Sequence, residues 1–185
     1  MSWTDKNFEE KMSPFIDEIY KDIFKSRLSG IYRSSREKET DKKMIFMDIE
    51  LAIDTHLRFK NGSILTFQEK TRRNFYEKYN DFTFEYYNDP KIKDEGEWFK
   101  LAAQLYFYGY SNESETGYSK FWILNVVKLR TRLMQNYTIK EIEEKWLRCN
   151  HPPAKANFFT IPFDILENLE DVVILKKTFN AINFQ

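Results

Sequence analysis

"AIDTHLRFKNGSILTFQEKTRR", residues 52–73, is the stretch on which the fold turns. From Ile49 to Phe59 the odd positions hold Ile, Leu, Ile, Thr, Leu and Phe, and the even positions hold Glu50, Ala52, Asp54, His56 and Arg58. A period of two predicts a half-buried strand over 49–59. A second strand is predicted from Ser63 to Thr71, and Asn61-Gly62 lies between them. A two-residue turn would set Phe67 opposite His56 and Leu65 opposite Arg58, mixing the faces. A three-residue loop, Lys60-Asn61-Gly62, pairs Leu57 with Leu65 and Thr55 with Phe67, so one face becomes apolar throughout. A one-residue slip would expose that face, which selects the longer loop. Gly62 then takes the left-handed position that such a loop requires. In this register Asp54 lies opposite Gln68, Ala52 opposite Lys70 and Glu50 opposite Arg72. Glu69 falls on the apolar side and needs a partner that the pattern does not name.

Outward from the hairpin, Ser13-Pro14 reads as the start of a helix over about 13–28. Its apolar positions include Phe15, Ile19 and Phe24, and Glu10, Asp17, Glu18 and Asp22 supply acids. Residues 33–43 are polar without period and read as a loop. A third strand of a meander is expected at 82–87, a short helix at "DEGEWFKLAA", and strands at "QLYFYGY" and "KFWILNV". Helices are expected at about 126–136 and 138–149, the second opened by Thr138 and Glu141 as a capping box. "NFFTIPFDIL" reads as a strand running into a short helix. The expectation is one α/β domain over 1–185, a central mixed sheet with a β-meander, flanked by helices.

Composition bounds the function. The 185 residues suffice for one good core. Charged residues make up 31% and the hydrophobic set 42%, which describes a globular chain. The 29 basic and 29 acidic side chains cancel, so nucleic-acid binding would need a local basic patch. One cysteine, Cys149, excludes a disulfide framework and a cysteine-built zinc site, and a buried thiol is expected there. The chain shows no signal-peptide pattern and no run of about 18 apolar residues, so a cytoplasmic protein without a membrane span is expected. His151 in "CNHPP" lacks partners at zinc spacing. His56 reads as structural. The aromatic strand 104–110 reads as core, as do Trp98 and Trp146. Lys128 and Arg132 in "KLRTR" read as a solvated helix face.

Asp54, the hairpin and "Gln68-Glu69-Lys70" together resemble the PD-(D/E)xK nuclease superfamily, of restriction-endonuclease-like fold, in its QxK variant. An acidic helix before the hairpin and the α/β order after it agree with that resemblance. It implies a nuclease that hydrolyses phosphodiester bonds of DNA, or of RNA, with Mg²⁺ as cofactor and Mn²⁺ as substitute. Asp54 would be the central metal carboxylate, and Gln68 would fill the position usually held by Asp or Glu. Lys70 would orient or activate the attacking water, and the Glu69 carbonyl would be a metal ligand. Glu18 would add an acid from the first helix, and Glu50 one from the hairpin face. Arg72 and Arg73 would contact phosphate. The chemistry is coherent, since Mg²⁺ takes oxygen ligands and polarises a phosphoryl oxygen. Gln68 is the departure, because a neutral amide holds the metal less tightly than a carboxylate. The alternative is a non-catalytic relative of the same fold that binds nucleic acid or protein. A sheet face that is merely solvated also accounts for the hairpin's polar residues.

Overall fold

Gly62 has φ +85°, and its N–H donates to the Phe59 carbonyl at 2.9 Å, while the Phe59 N–H donates to Ser63 at 3.0 Å. The computed structural model, which describes residues 3–33, 42–150 and 155–179, thus contains the three-residue loop. Strands β2 (Thr55–Phe59) and β3 (Ile64–Arg72) pair with Leu57 opposite Leu65 and Thr55 opposite Phe67, the register that apolar coherence selects. Leu57 and Phe67 are fully buried.

The strand does not begin at Ile49. Residues Lys42–Leu51 form helix α2, and Ala52, at φ +47°, ends it with a left-handed turn. Met44, Met47 and Leu51 follow helical spacing, and the last two pack on the core, so a 3.6 period underlies the apparent alternation at 49–53. Glu50 is therefore an exposed helix residue and does not face Arg72. Helix α1 is Trp3–Phe24, with Pro14 inside it rather than at its start. An internal proline costs a helix about 3 kcal/mol. Burial of Phe8 and Met12 offsets that cost by holding the turns before the proline against the sheet.

Strand β1 (Leu28–Arg33) comes next, in a region read from sequence as partly loop. It pairs with β2, so the meander is β1–β2–β3. The strand near 82–87, β4 (Asp81–Asp89), leaves that sheet. It forms a second sheet with β5 (Asp94–Glu95), β8 (Leu147–Cys149) and β9 (Asn157–Pro162), in the order β5-β4-β9-β8. The first sheet runs β1-β2-β3-β6-β7-β10, with β6 (Leu105–Ser111), β7 (Tyr118–Asn125) and β10 (Val173–Thr178). Its β3–β6 pair is parallel and its other pairs are antiparallel. Helices α3 (Glu97–Lys100), α4 (Val126–Asn136), α5 (Ile139–Trp146) and α6 (Phe163–Glu167) complete a single α/β domain with a mixed sheet flanked by helices. The capping box at Thr138 and Glu141 is formed.

Two cores follow from alternation along the strands. Tyr20, Met12, Phe67, Phe107 and Phe121 fill the space between α1 and one face of the first sheet. Tyr106, Tyr108 and Trp122 point the other way, onto Phe82, Phe84 and Phe163. Trp122 stacks on Phe163 with centroids 3.6 Å apart. Trp98 and Trp146 are core, as expected. Cys149 is exposed, because β8 is an edge strand and its last two residues face outward. His151 lies outside the described residues. No helix among the described residues is long and apolar enough to cross a membrane.

Gly62→Ala should lower stability by about 1 kcal/mol, because an L-residue resists the left-handed region. Nothing lies within 4 Å of the added methyl, so the cost would be backbone strain alone. Gly62→Asn should cost less, and urea unfolding of the two variants checks the difference.

Candidate functional site between the sheets

Alternation along β3 sends Phe67, Glu69 and Thr71 toward α1, and Gln68, Lys70 and Arg72 toward the second sheet. Glu69 finds partners at that first face. Its Oε1 accepts from the Tyr20 hydroxyl at 2.9 Å, and its Oε2 forms an ion pair with Arg33. Arg33 also donates to Asp17 Oδ1 at 2.6 Å. Glu69 is nearly inaccessible, with 6% of its side chain exposed, so an unpaired charge there would be costly. Burial and the Glu69 charge push the Tyr20 hydroxyl well above its usual value, so it stays a donor. Arg33 was hidden from the sequence because it opens the polar run 33–43. The signal that could have found it was the uncompensated Glu69 itself.

The backbone of Glu69 performs a second task. Its N–H donates to Asp54 Oδ2 at 2.8 Å. Asp54 lies just before β2, where its own N–H donates to the Phe67 carbonyl at 2.9 Å. Burial, followed by the charge of Glu69, pushes the Asp54 carboxyl well above the usual range, and Asp48 and Glu97 push it further. The Glu69 N–H only partly offsets these effects.

Glu97, the first residue of α3, is the carboxylate that sequence reasoning missed. It lay in a predicted short helix about 25 positions beyond the hairpin, with no motif to mark it. Gly96 brings it in: the Gly96 N–H donates to Tyr86 at 2.8 Å, and a β-carbon on Gly96 would lie 2.8 Å from the Glu85 backbone. Burial raises Glu97 above its usual value, and the Lys70 ammonium works against that rise. Lys70 itself is held above its usual value. Burial would lower it, but Glu97, Glu85 and Tyr108 outweigh that penalty. Lys70 is therefore a cation at neutral pH.

Asp54, Gln68, Lys70 and Glu97 are each partly accessible. Gln68 Oε1, Glu97 Oε1 and the Tyr106 hydroxyl are buried without a well-formed hydrogen bond. Tyr106 pairs with Gln68 across the parallel ladder, and the Glu97 charge raises its hydroxyl, burial being the larger cause. Two carboxylates and an amide oxygen of this kind match the oxygen donors that Mg²⁺ prefers. Among the described residues, no three His, Cys, Asp or Glu side chains gather into a ready metal cluster. Any cation here would use the neutral amide as well.

The other candidates are placed elsewhere. Glu18 is 69% exposed and pairs with Lys21 at 2.7 Å on α1, the helix that covers the opposite face. Among the described side chains of α1, Phe8, Met12, Ile16 and Tyr20 are buried, with Phe15, Ile19 and Phe24 packed at the margin. Arg72 donates to Asp81 at 2.9 Å and lies 4.2 Å from the Tyr76 ring centre. Arg73 donates to Glu115 at 3.2 Å and lies over Phe8. Lys128 pairs with Asp171, and Arg132 with Glu170. Lys70 and Asp54 each lie in the electrostatic neighbourhood of Glu97, and Gln68 shares the sheet face of Lys70, whereas Glu18 and Glu50 are exposed on helices α1 and α2.

No protein-family model, no curated protein and no solved structure matches the chain.

Arg33→Met should destabilise the fold by about 3 kcal/mol, because it strands Glu69 without a counter-charge. Arg33→Met combined with Glu69→Met should recover most of that loss. Chemical unfolding of the two single variants and the double variant measures the coupling.

Proposed function

We propose that the chain is a divalent-metal-dependent nuclease, hydrolysing phosphodiester bonds of DNA or, as the second choice, RNA. The observation that carries this reading is a lysine cation held among half-buried carboxylates, on the sheet face where an amide oxygen is buried without a partner. Lys70, Glu97, Asp54 and Gln68 Oε1 form that set. The restriction-endonuclease-like assignment draws support from element order. A helix precedes the antiparallel meander β1–β2–β3, and β6 then runs parallel beside β3.

Asp54, Gln68 and Glu97 would hold the cation, with Glu97 in the place for which Glu18 and Glu50 were candidates. Bound Mg²⁺ would supply Lewis-acid polarisation of the phosphoryl oxygen. The remaining work belongs to side chains. The Lys70 ammonium donates to a phosphoryl oxygen and balances the negative charge that grows as water adds to phosphorus. Glu97 would also accept a hydrogen bond from that water through the oxygen turned away from the cation, the water's proton passing to solvent, which returns one to the departing sugar oxygen. The Glu69 N–H keeps Asp54 oriented throughout. Arg72 and Arg73 are engaged in ion pairs, so phosphate would have to compete for them.

A second reading, a non-catalytic relative that binds nucleic acid or protein, is favoured by one observation. The described residues contain no three-member cluster of acids or imidazoles, and Gln68 is neutral.

One experiment separates the two readings. Purified protein with Mg²⁺ or Mn²⁺ should cut DNA, and Lys70→Ala should slow cutting by about 10²-fold or more. Because Lys70 balances Glu97, circular dichroism must accompany the assay to show that the variant is folded. Gln68→Glu should tighten Mg²⁺ binding by on the order of tenfold in calorimetry, since it adds charge beside the cation. No metal binding in either protein, with no cleavage of single- or double-stranded DNA or RNA, would establish the non-catalytic reading instead.

A further inference from the structure

The sheet face that carries Gln68 and Lys70 extends past the cover of the second sheet. Tyr32 on β1 pairs with His56 on β2, and His56 pairs with Thr66 on β3. Paired residues share a face, so Tyr32, His56, Arg58, Ile64 and Thr66 lie on the same side as Gln68. This end of the face is open. Tyr32 is 43% exposed, Ile64 is 51% exposed, and Arg58 is exposed.

The open end has a definite construction. The Tyr32 ring lies down over Gly30, where a β-carbon would come within 2.8 Å of it. Any residue other than glycine at position 30 would lift the ring off the strand. The ring is parallel to His56, with centroids 4.9 Å apart and planes 7° from parallel. The Arg58 guanidinium lies 5.0 Å from the centre of the same ring. Arg58 pairs with Gly30 across the ladder, so the glycine also leaves room for that approach. An imidazole stacked on the phenol ring, with a guanidinium over the same ring, therefore forms a short strip at the edge strand β1. None of them belongs to the buried core. The strip begins two residues from Asp54, on the same strand segment.

Resting on the nuclease reading, we propose that this strip holds an unpaired nucleic-acid strand on its way to Asp54. Tyr32, 43% exposed, offers a base the ring face turned away from His56, and the Arg58 guanidinium offers a contact for the adjoining phosphate. Aromatic faces accept any base, so the strip selects strand state rather than sequence. A paired duplex keeps its bases stacked on one another and leaves the ring unused. This also places binding where the neutral net charge permits it, on a local patch rather than over the whole surface.

The test is fluorescence anisotropy of the full chain with a fluorescein-labelled oligothymidine, in EDTA and low salt, so that cleavage does not intervene. Tyr32→Ala and Arg58→Gln should each weaken binding by about tenfold. Tyr32→Phe keeps the ring and should bind like the wild type, and Arg132→Gln on α4 serves as a distant control. A duplex should bind more weakly than the single strand. Arg58 is exposed, so its variant reports on binding even if Tyr32→Ala folds poorly. Wild-type affinity in both Tyr32→Ala and Arg58→Gln, or equal affinity for duplex and single strand, would overturn the strip. If Mg²⁺-dependent cutting persisted in that case, the Asp54 site would still stand. Wild-type protein that neither binds nor cuts would remove both.

Discussion

A carboxylate buried under a helix must have a counter-charge, and Glu69 meets that requirement in a way that organises its surroundings. Its side chain takes Arg33 from β1 and Tyr20 from α1. Its backbone N–H takes the Asp54 carboxylate from the turn after α2. Three other segments of the chain therefore converge on one residue of β3. The pair is worth little as a net gain over apolar packing, because desolvation consumes most of its attraction. Its effect is on specificity: removing either partner leaves a buried charge, so alternative arrangements of α1 and β1 are penalised.

The same strand divides the protein's chemistry between two faces. On the α1 face the charges are closed off in ion pairs. On the other face, Lys70 has an excess of acid around it, since Asp54, Glu97 and Glu85 all lie within its electrostatic neighbourhood or that of Glu97. Burial is the main reason that Asp54 and Glu97 are held above their usual values; Glu69, Asp48 and Glu97 add to the rise of Asp54, and Glu85 adds to that of Glu97. A folded chain keeps such an arrangement at a cost to its own stability. Ala52, left-handed and buried next to Asp54, adds backbone strain at the same place.

The hairpin was legible because its information is local. Loop length, glycine and alternation all act within 20 residues, and they gave the register of Leu57, Leu65, Thr55 and Phe67 correctly. The aromatic strand and the capping box at Thr138 were legible for the same reason. At 49–53 two periodicities overlapped, and helix α2 prevailed because Met47 and Leu51 pack on the inter-sheet core. The allocation of β4 to a second sheet was not legible, since a half-buried strand reads alike in either sheet. Arg33 and Glu97 were out of reach because each is defined by a contact across more than 25 residues. Sequence could show that Glu69 lacked a partner, but only the fold supplies Arg33.

The central claim is that burial and neighbouring carboxylates hold the Asp54 carboxyl well above its ordinary range. A carboxyl whose folded value is raised binds more protons folded than unfolded, so it weakens the fold as pH climbs past its ordinary value of 3.8. Thermal unfolding of wild type and Asp54→Asn in EDTA, from pH 3 to pH 7, measures this directly. The amide can keep the bond from the Glu69 N–H while shedding the charge. The account predicts that Asp54→Asn melts above wild type at pH 7, and that the gap closes as the pH falls to the ordinary carboxylate range. An Asp54→Asn protein that melts below wild type at pH 7 would contradict it.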